Sequence, residues 1–265
     1  MPDIFAYSFM IRALIAGVAI GIIAPLIGTF VVAKRYALIA DSLAHVSLAG
    51  VAAGILLGIN PLIGALAVSV GAAFVIERLR ADRRITGEVA LAMFLSGGLA
   101  IAIVLVGLAN KVNVDLLSFL FGSITTVTSG DLWLIGGLSV VVLATVGFLY
   151  KQLAYTSFNE EQAQASGLPV ALLNQVLIML AAVTVVVSLR IVGGLLIGAL
   201  TVIPVAAASQ LARSLKQTLL YAVAIGLLAV TLGLFASFYL NLAAGGAIVL
   251  TALVLFVCAL LVRRT

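Results

Sequence analysis

The sequence predicts an all-α polytopic membrane protein of about nine transmembrane helices, and three observations predict it. Hydrophobic residues make up 65% of the 265-residue chain and charged residues only 9%, against roughly 25% charged in soluble domains. Uncharged runs of about 18 residues or more recur, each long enough to cross a hydrocarbon core about 30 Å thick. Those runs are continuously apolar rather than alternating, which excludes a membrane β-barrel.

The crossings read, in order, as residues 13–33, 37–58, 61–77, 88–109, 131–150, 170–189, 191–212, 217–240 and 245–262. The stretch 112–127 is apolar but short, and reads as a re-entrant or interfacial segment. Pro25 and Pro204 fall inside runs and should kink them. Gly50 and Gly54 are four residues apart, as are Gly194 and Gly198, a spacing that lets helix backbones approach closely in lipid. The segment 237–246 reads as a loop or a broken segment. No second domain, inverted repeat or low-complexity tract is visible, so 1–265 is expected to be one transmembrane domain. Met1–Phe9 lacks a basic n-region, so the first helix is expected to stay in the mature protein.

The formal charge of +5 does not imply nucleic-acid binding, because the basic residues sit in the short links. With the N-terminus outside, the inside links hold Lys34, Arg35, Arg78, Arg80, Arg83, Arg84, Lys151, Arg213, Lys216, Arg263 and Arg264. The outside links hold Arg12, Lys111 and Arg190. Positive charge marks the cytoplasmic side, so the C-terminus is expected in the cytoplasm. The single Cys258 offers neither a disulfide nor a thiolate pair for a metal.

Two polar residues interrupt the second run. Asp41 and His45 lie in Ala40-Asp41-Ser42-Leu43-Ala44-His45, and His45 is the only histidine. A carboxylate inside a membrane helix costs about 2.5–3.5 kcal/mol on insertion scales, so it needs a partner or a water-filled cavity. The i to i+4 spacing puts both side chains on one helix face, and carboxylate with imidazole suits a divalent transition metal. Spacing alone leaves a second reading open, in which Asp41 caps the helix and hydrogen-bonds a structural histidine.

Enzyme signatures are missing. No lysine follows a glycine, so there is no Walker A loop. H-E-x-x-H and G-x-S-x-G do not occur either. The longest polar segment, Thr156–Pro169, reads as a short helix of about nine residues between two crossings. Ser157 with Glu160 forms a capping box, and Gly167 then Pro169 end it. The expected partner-binding residues of this helix are Phe158, Glu160, Glu161, Ala163, Ala165 and Gly167. Thr128 with Asp131 makes a second, structural box.

Over nearly its whole length the chain resembles the permease subunits of bacterial zinc and manganese ABC importers, most of all zinc-uptake permeases. The resemblance rests on Gly28-Thr29-Phe30-Val31-Val32 with Lys34-Arg35, on Ala40-Asp41-Ser42-Leu43-Ala44-His45 and on Gly50-Val51-Ala52. It continues through Val114-Asp115-Leu116-Leu117-Ser118-Phe119-Leu120-Phe121-Gly122, Val192-Gly193-Gly194-Leu195-Leu196 and Val202-Ile203-Pro204-Val205-Ala206-Ala207. The family commonly carries an acidic residue, a proline and a glycine before the last helix. Here Tyr239–Gly246 lacks the first two, so no metal-entry role is carried over to it.

The resemblance implies a bacterial inner-membrane complex of two permease copies, two cytoplasmic ATPase subunits and an extracytoplasmic metal-binding protein. It implies no resident cofactor, with Zn2+ or Mn2+ passing through transiently. One chain offers too few ligands for zinc, which prefers four, whereas two copies of Asp41 and His45 make four. The imidazole favours zinc. An iron or chelate permease and a membrane-embedded metal enzyme are the alternatives.

Overall fold

The computed structural model describes residues 7–81, 85–108 and 116–263. The residues Arg83, Arg84, Lys111, Val114, Asp115 and Arg264 named above lie outside these. The described residues form eleven helices and no strand. They are α1 (Ser8–Ala33), α2 (Ile39–Leu56), α3 (Pro61–Ala81), α4 (Gly87–Leu108), α5 (Leu116–Phe121), α6 (Ser129–Phe158), α7 (Glu160–Ala165), α8 (Val170–Ser188), α9 (Ile197–Leu211), α10 (Leu215–Leu240) and α11 (Ala244–Arg263).

Eight of them, all but α5, α7 and α9, are long and apolar enough to cross a membrane. Their outer faces are apolar as well. Trp133 and Phe148 on α6 are each 85% exposed, which suits a surface turned to lipid.

Small residues set the packing. On α2, Gly50 lies against Gly64 and Ala65 of α3, where a Cβ would come within 2.6 Å of the Gly64 carbonyl. Gly21 and Pro25 of α1 likewise face Gly226 of α10. Pro25 leaves a gap in the α1 hydrogen-bond ladder, and its own carbonyl accepts from the Thr29 hydroxyl at 2.8 Å. The expected glycine packing thus holds for Gly50 and for Gly54, which a Cβ on Gly64 would also meet.

It fails for Gly194 and Gly198, because the expected crossing 191–212 is not one continuous helix. Residues 189–196 are a series of turns, and only Ile197–Leu211 is helical. At 1.5 Å per residue α9 spans about 22 Å, short of the hydrocarbon core. Unwound backbone is tolerated at membrane depth only where protein supplies its hydrogen bonds, and here α5 and its exit do. Gly194 N–H donates to the Phe119 carbonyl at 2.7 Å and Leu195 N–H to Leu120 at 3.1 Å, while Ser123 N–H donates back to Arg190 at 3.0 Å. Gly122 (φ +75) and Gly193 (φ +85) both adopt left-handed backbone at this contact, which favours glycine. The segment 112–127 is therefore no crossing in its described part, which is the six-residue α5 and an irregular exit with a bend at 124–125.

The same end holds the Thr128–Asp131 capping box as expected. Asp131 also forms an ion pair with Arg190 at 3.4 Å, and the Arg190 guanidinium lies 4.6 Å from the Phe119 ring centre. Residues 241–243 are a tight turn and not a broken helix. Asn241 takes a left-handed conformation (φ 53) as the cap of α10, and the Ser237 hydroxyl donates to the Leu242 carbonyl at 2.7 Å.

Candidate functional site

Helix α2 is almost wholly enclosed. From Ile39 to Ala52 every side chain is buried except two, Asp41 and His45. These lie one turn apart on the same face, as the spacing required. The capping alternative does not hold. The N-cap of α2 is Leu38, which makes no side-chain cap bond, and the His45 Nδ1 is buried with no hydrogen-bond partner.

The neighbouring helices make room for this face without pairing to it. Gly198, in the first turn of α9, lies directly on the Asp41 carboxylate, and any Cβ there would collide with Oδ1. Gly98 of α4 presses on the α2 backbone at His45 and Val46, where a Cβ would sit 2.7 Å from the Val46 nitrogen. Ser42 fixes the rotation of α2 by donating to the Leu91 carbonyl at 2.9 Å. The four-residue spacing of Gly194 and Gly198 points to helix packing, whereas Gly198 seats the carboxylate. Among the described residues no three of His, Cys, Asp and Glu come together, so Asp41 and His45 have no third candidate ligand there.

The second candidate region is the polar segment after α6. The expected capping box of Ser157 and Glu160 is not formed. Ser157 still belongs to α6 and its hydroxyl donates to the Leu153 carbonyl at 2.6 Å. Asn159 is the cap instead, its Oδ1 accepting from Gln162 N–H at 2.9 Å. Asn is an equally good N-cap two residues on, so α7 has six residues, not nine. Its end was legible. Gly167 is left-handed (φ +82), with Gly167 N–H donating to Gln164 and Leu168 N–H to Ala163, the Schellman arrangement.

The six residues expected to meet a partner divide. Phe158 is 69% exposed, and Glu161, Ala165 and Gly167 are open. Ala163 is fully buried and turns into the protein. Glu160 is tied inward, accepting from Lys34 Nζ at 2.7 Å and from Asn174 Nδ2 at 2.9 Å. Lys34 Nζ also donates to Asn174 Oδ1 at 2.6 Å. Burial pushes the Lys34 ammonium below its ordinary pKa despite the Glu160 carboxylate beside it. Burial alone would raise Glu160, but the hydrogen bonds from Lys34 and Asn174 together hold it below the usual carboxylate range. Nearby, Arg80 binds Glu77 through two bonds of 2.7 and 2.8 Å and stacks 4.4 Å from the Tyr36 ring centre.

A family model described as the ABC 3 transport family matches residues 6–263. The chain belongs to this family. Among curated ABC-3 relatives, the manganese import system permease protein ScaB of Streptococcus gordonii is 36% identical, over 94% of this chain and 90% of its own length. The high-affinity zinc uptake system membrane protein ZnuB of Haemophilus influenzae is 31% identical, over 97% and 99%. Among solved structures, PsaBC from Streptococcus pneumoniae in complex with Fab superposes with a TM-score of 0.86 and 34% identity, over 96% of this chain and 91% of that one. The protein is accordingly a multi-pass permease subunit of a bacterial metal ABC importer. It is not itself an enzyme, and ATP hydrolysis belongs to a separate subunit.

Proposed function

We propose that two copies of this permease form a pore for a divalent transition metal, which passes between them through a transient site made of two Asp41 and two His45. The observation that carries this reading is the opening in α2. The only side chains of its enclosed stretch that are not buried are one carboxylate and one imidazole on one face, and the imidazole has a nitrogen left without a partner. A lone chain cannot complete a four-ligand site, and a two-fold copy of the same face can. A site divided between two moving chains also releases its ion when they part.

The imidazole pair favours zinc, whereas relatives bear manganese names as well as zinc names. With nitrogen and carboxylate ligands zinc binds more tightly than manganese by the general affinity order. Zinc should therefore compete with manganese at the pore, and the ion carried in practice is the one an extracytoplasmic binding protein delivers. Asp41→Asn and His45→Ala should each cut uptake of radioactive zinc and of manganese into proteoliposomes at least a hundredfold, with ATPase assembly retained. Parental uptake in both variants would make the pair structural.

In this reading the α7 end faces the cytoplasm, as the eleven-to-three distribution of Lys and Arg supports, and Phe158, Glu161, Ala165 and Gly167 meet the ATPase subunit. A membrane-impermeant thiol reagent applied outside should not label Gln162→Cys on a Cys258→Ser background. Labelling there would invert the topology.

A further inference from the structure

The contacts of Lys34, Glu160 and Asn174 are more than a surface ion pair. We propose that these three residues form a latch that carries the movement of α7 to the junction between α1 and α2, and so to Asp41. The inference rests on the proposed transport function and adds a route by which the ATPase reaches the metal pair.

Helix α7 is short, and its contacts run mainly to its chain neighbours α6 and α8. Beyond those two neighbours, Glu160 ties α7 to the end of α1, accepting a hydrogen bond from Lys34. Lys34 is the C-cap of α1, and its side chain is only 3% exposed. All three members of the cluster bond one another, at 2.6, 2.7 and 2.9 Å, so the triangle is closed and resists shear. An ammonium buried this deeply cannot part from its carboxylate without standing unpaired in a low-dielectric site. When α7 moves, the end of α1 must follow.

Burial pushes the Lys34 ammonium below its ordinary pKa even with Glu160 in contact. A buried pair of this kind contributes little to stability and more to a defined geometry.

From Lys34 the path to the metal pair is short. Arg35 follows with φ +62, a left-handed conformation that a residue with a Cβ adopts at a cost. Tyr36 comes next, held against α3 by the Arg80 guanidinium, which Glu77 orients. The junction is thus gripped on one side by α7 and α8 and on the other by the last turn of α3. Helix α2 starts three residues after Tyr36, and Asp41 lies in its first turn. A displacement of the junction therefore shifts Asp41 relative to Gly198, on which its carboxylate rests. Lys34, Glu160 and Asn174 are positioning residues in this account and touch no metal.

The test uses the intact permease–ATPase assembly in proteoliposomes, with ATP hydrolysis and zinc or manganese uptake read from the same vesicles. Lys34→Met keeps the length of the side chain and removes its charge, leaving the half-exposed Glu160 to Asn174 and water. Spin labels at the exposed Leu38 and Gln164, each measured against a label on the exposed Cys258, report the start of α2 and the coupling segment separately. In the parent both distances should change between nucleotide-free and ATP-bound states. In Lys34→Met the Gln164 change and ATP hydrolysis should persist within twofold, the Leu38 change should shrink by at least half, and metal imported per ATP should fall at least tenfold. Lys34→Arg should recover part of that loss. Parental uptake per ATP in Lys34→Met, or an undiminished Leu38 change, overturns the latch. If Lys34→Met does not assemble, the isosteric Glu160→Gln should lose at least threefold in uptake per ATP, and parental coupling in it overturns the latch equally. A parent that hydrolyses ATP and moves both labels but imports neither metal would refute the proposed function and leave the latch standing on its distances.

Discussion

Two polar clusters lie within one apolar bundle and are treated in opposite ways. At the α7 end, Lys34, Glu160 and Asn174 satisfy one another, and Arg80 and Glu77 pair alongside. On the face of α2, Asp41 and His45 make no such set, and the His45 Nδ1 has no partner at all. Buried polar groups ordinarily find hydrogen bonds, and an orphan calls for an explanation. The first cluster is complete within one chain and acts on geometry. In the proposed reading the second is half of a metal site, and a second copy of the chain supplies the other half.

The comparison can be broken from either side. Next to loss of Asp41 or His45 themselves, the largest effect is expected at the seat of the carboxylate. Gly198→Ala would drive a Cβ into the Asp41 carboxylate, while the backbone there is ordinary helix that alanine favours. Metal uptake should drop tenfold or more while the thermal midpoint of the purified protein changes by only a few degrees. A variant with normal uptake would show that Asp41 need not stand where it does.

A smaller effect is expected at the end of α7. Gly167 is left-handed (φ +82) with open space around a built Cβ, so a side chain there meets strain and no clash. Gly167→Leu should cost about 1–2 kcal/mol locally and misplace the exit into α8, lowering uptake per ATP about three- to tenfold. ATP hydrolysis fully coupled to uptake in that variant would count against α7 as the docking element.

The contrast also explains what could be read from the amino-acid order. The helical spans announced themselves, because an apolar run of 20 residues has few other fates. Asp41 and His45 were legible for the same reason, since each is conspicuous where lipid-phase helices exclude charge. Three features were not. The expected crossing 191–212 looked uniform, because the apolar residues of 189–196 hide a backbone bonded to a segment about seventy positions earlier. Gly193 and Gly194 were the available signal, and they also suit a close-packed helix. The cap of α7 was misplaced because Ser157 and Asn159 both suit an N-cap, and only the continuation of α6 through Phe158 decides between them. The cluster was invisible because Lys34 reads as a topology signal and Asn174 sits in an apolar run, near the start of α8, and no local pattern brings them to Glu160.

The central claim is that the metal pair is completed by a second copy. The most direct measurement is the stoichiometry of zinc and of manganese bound at equilibrium to the purified permease–ATPase assembly, beside the same assembly carrying His45→Ala. One ion per two permease chains is expected, lost in the variant. One ion per chain, or one per pair that survives His45→Ala, would contradict it.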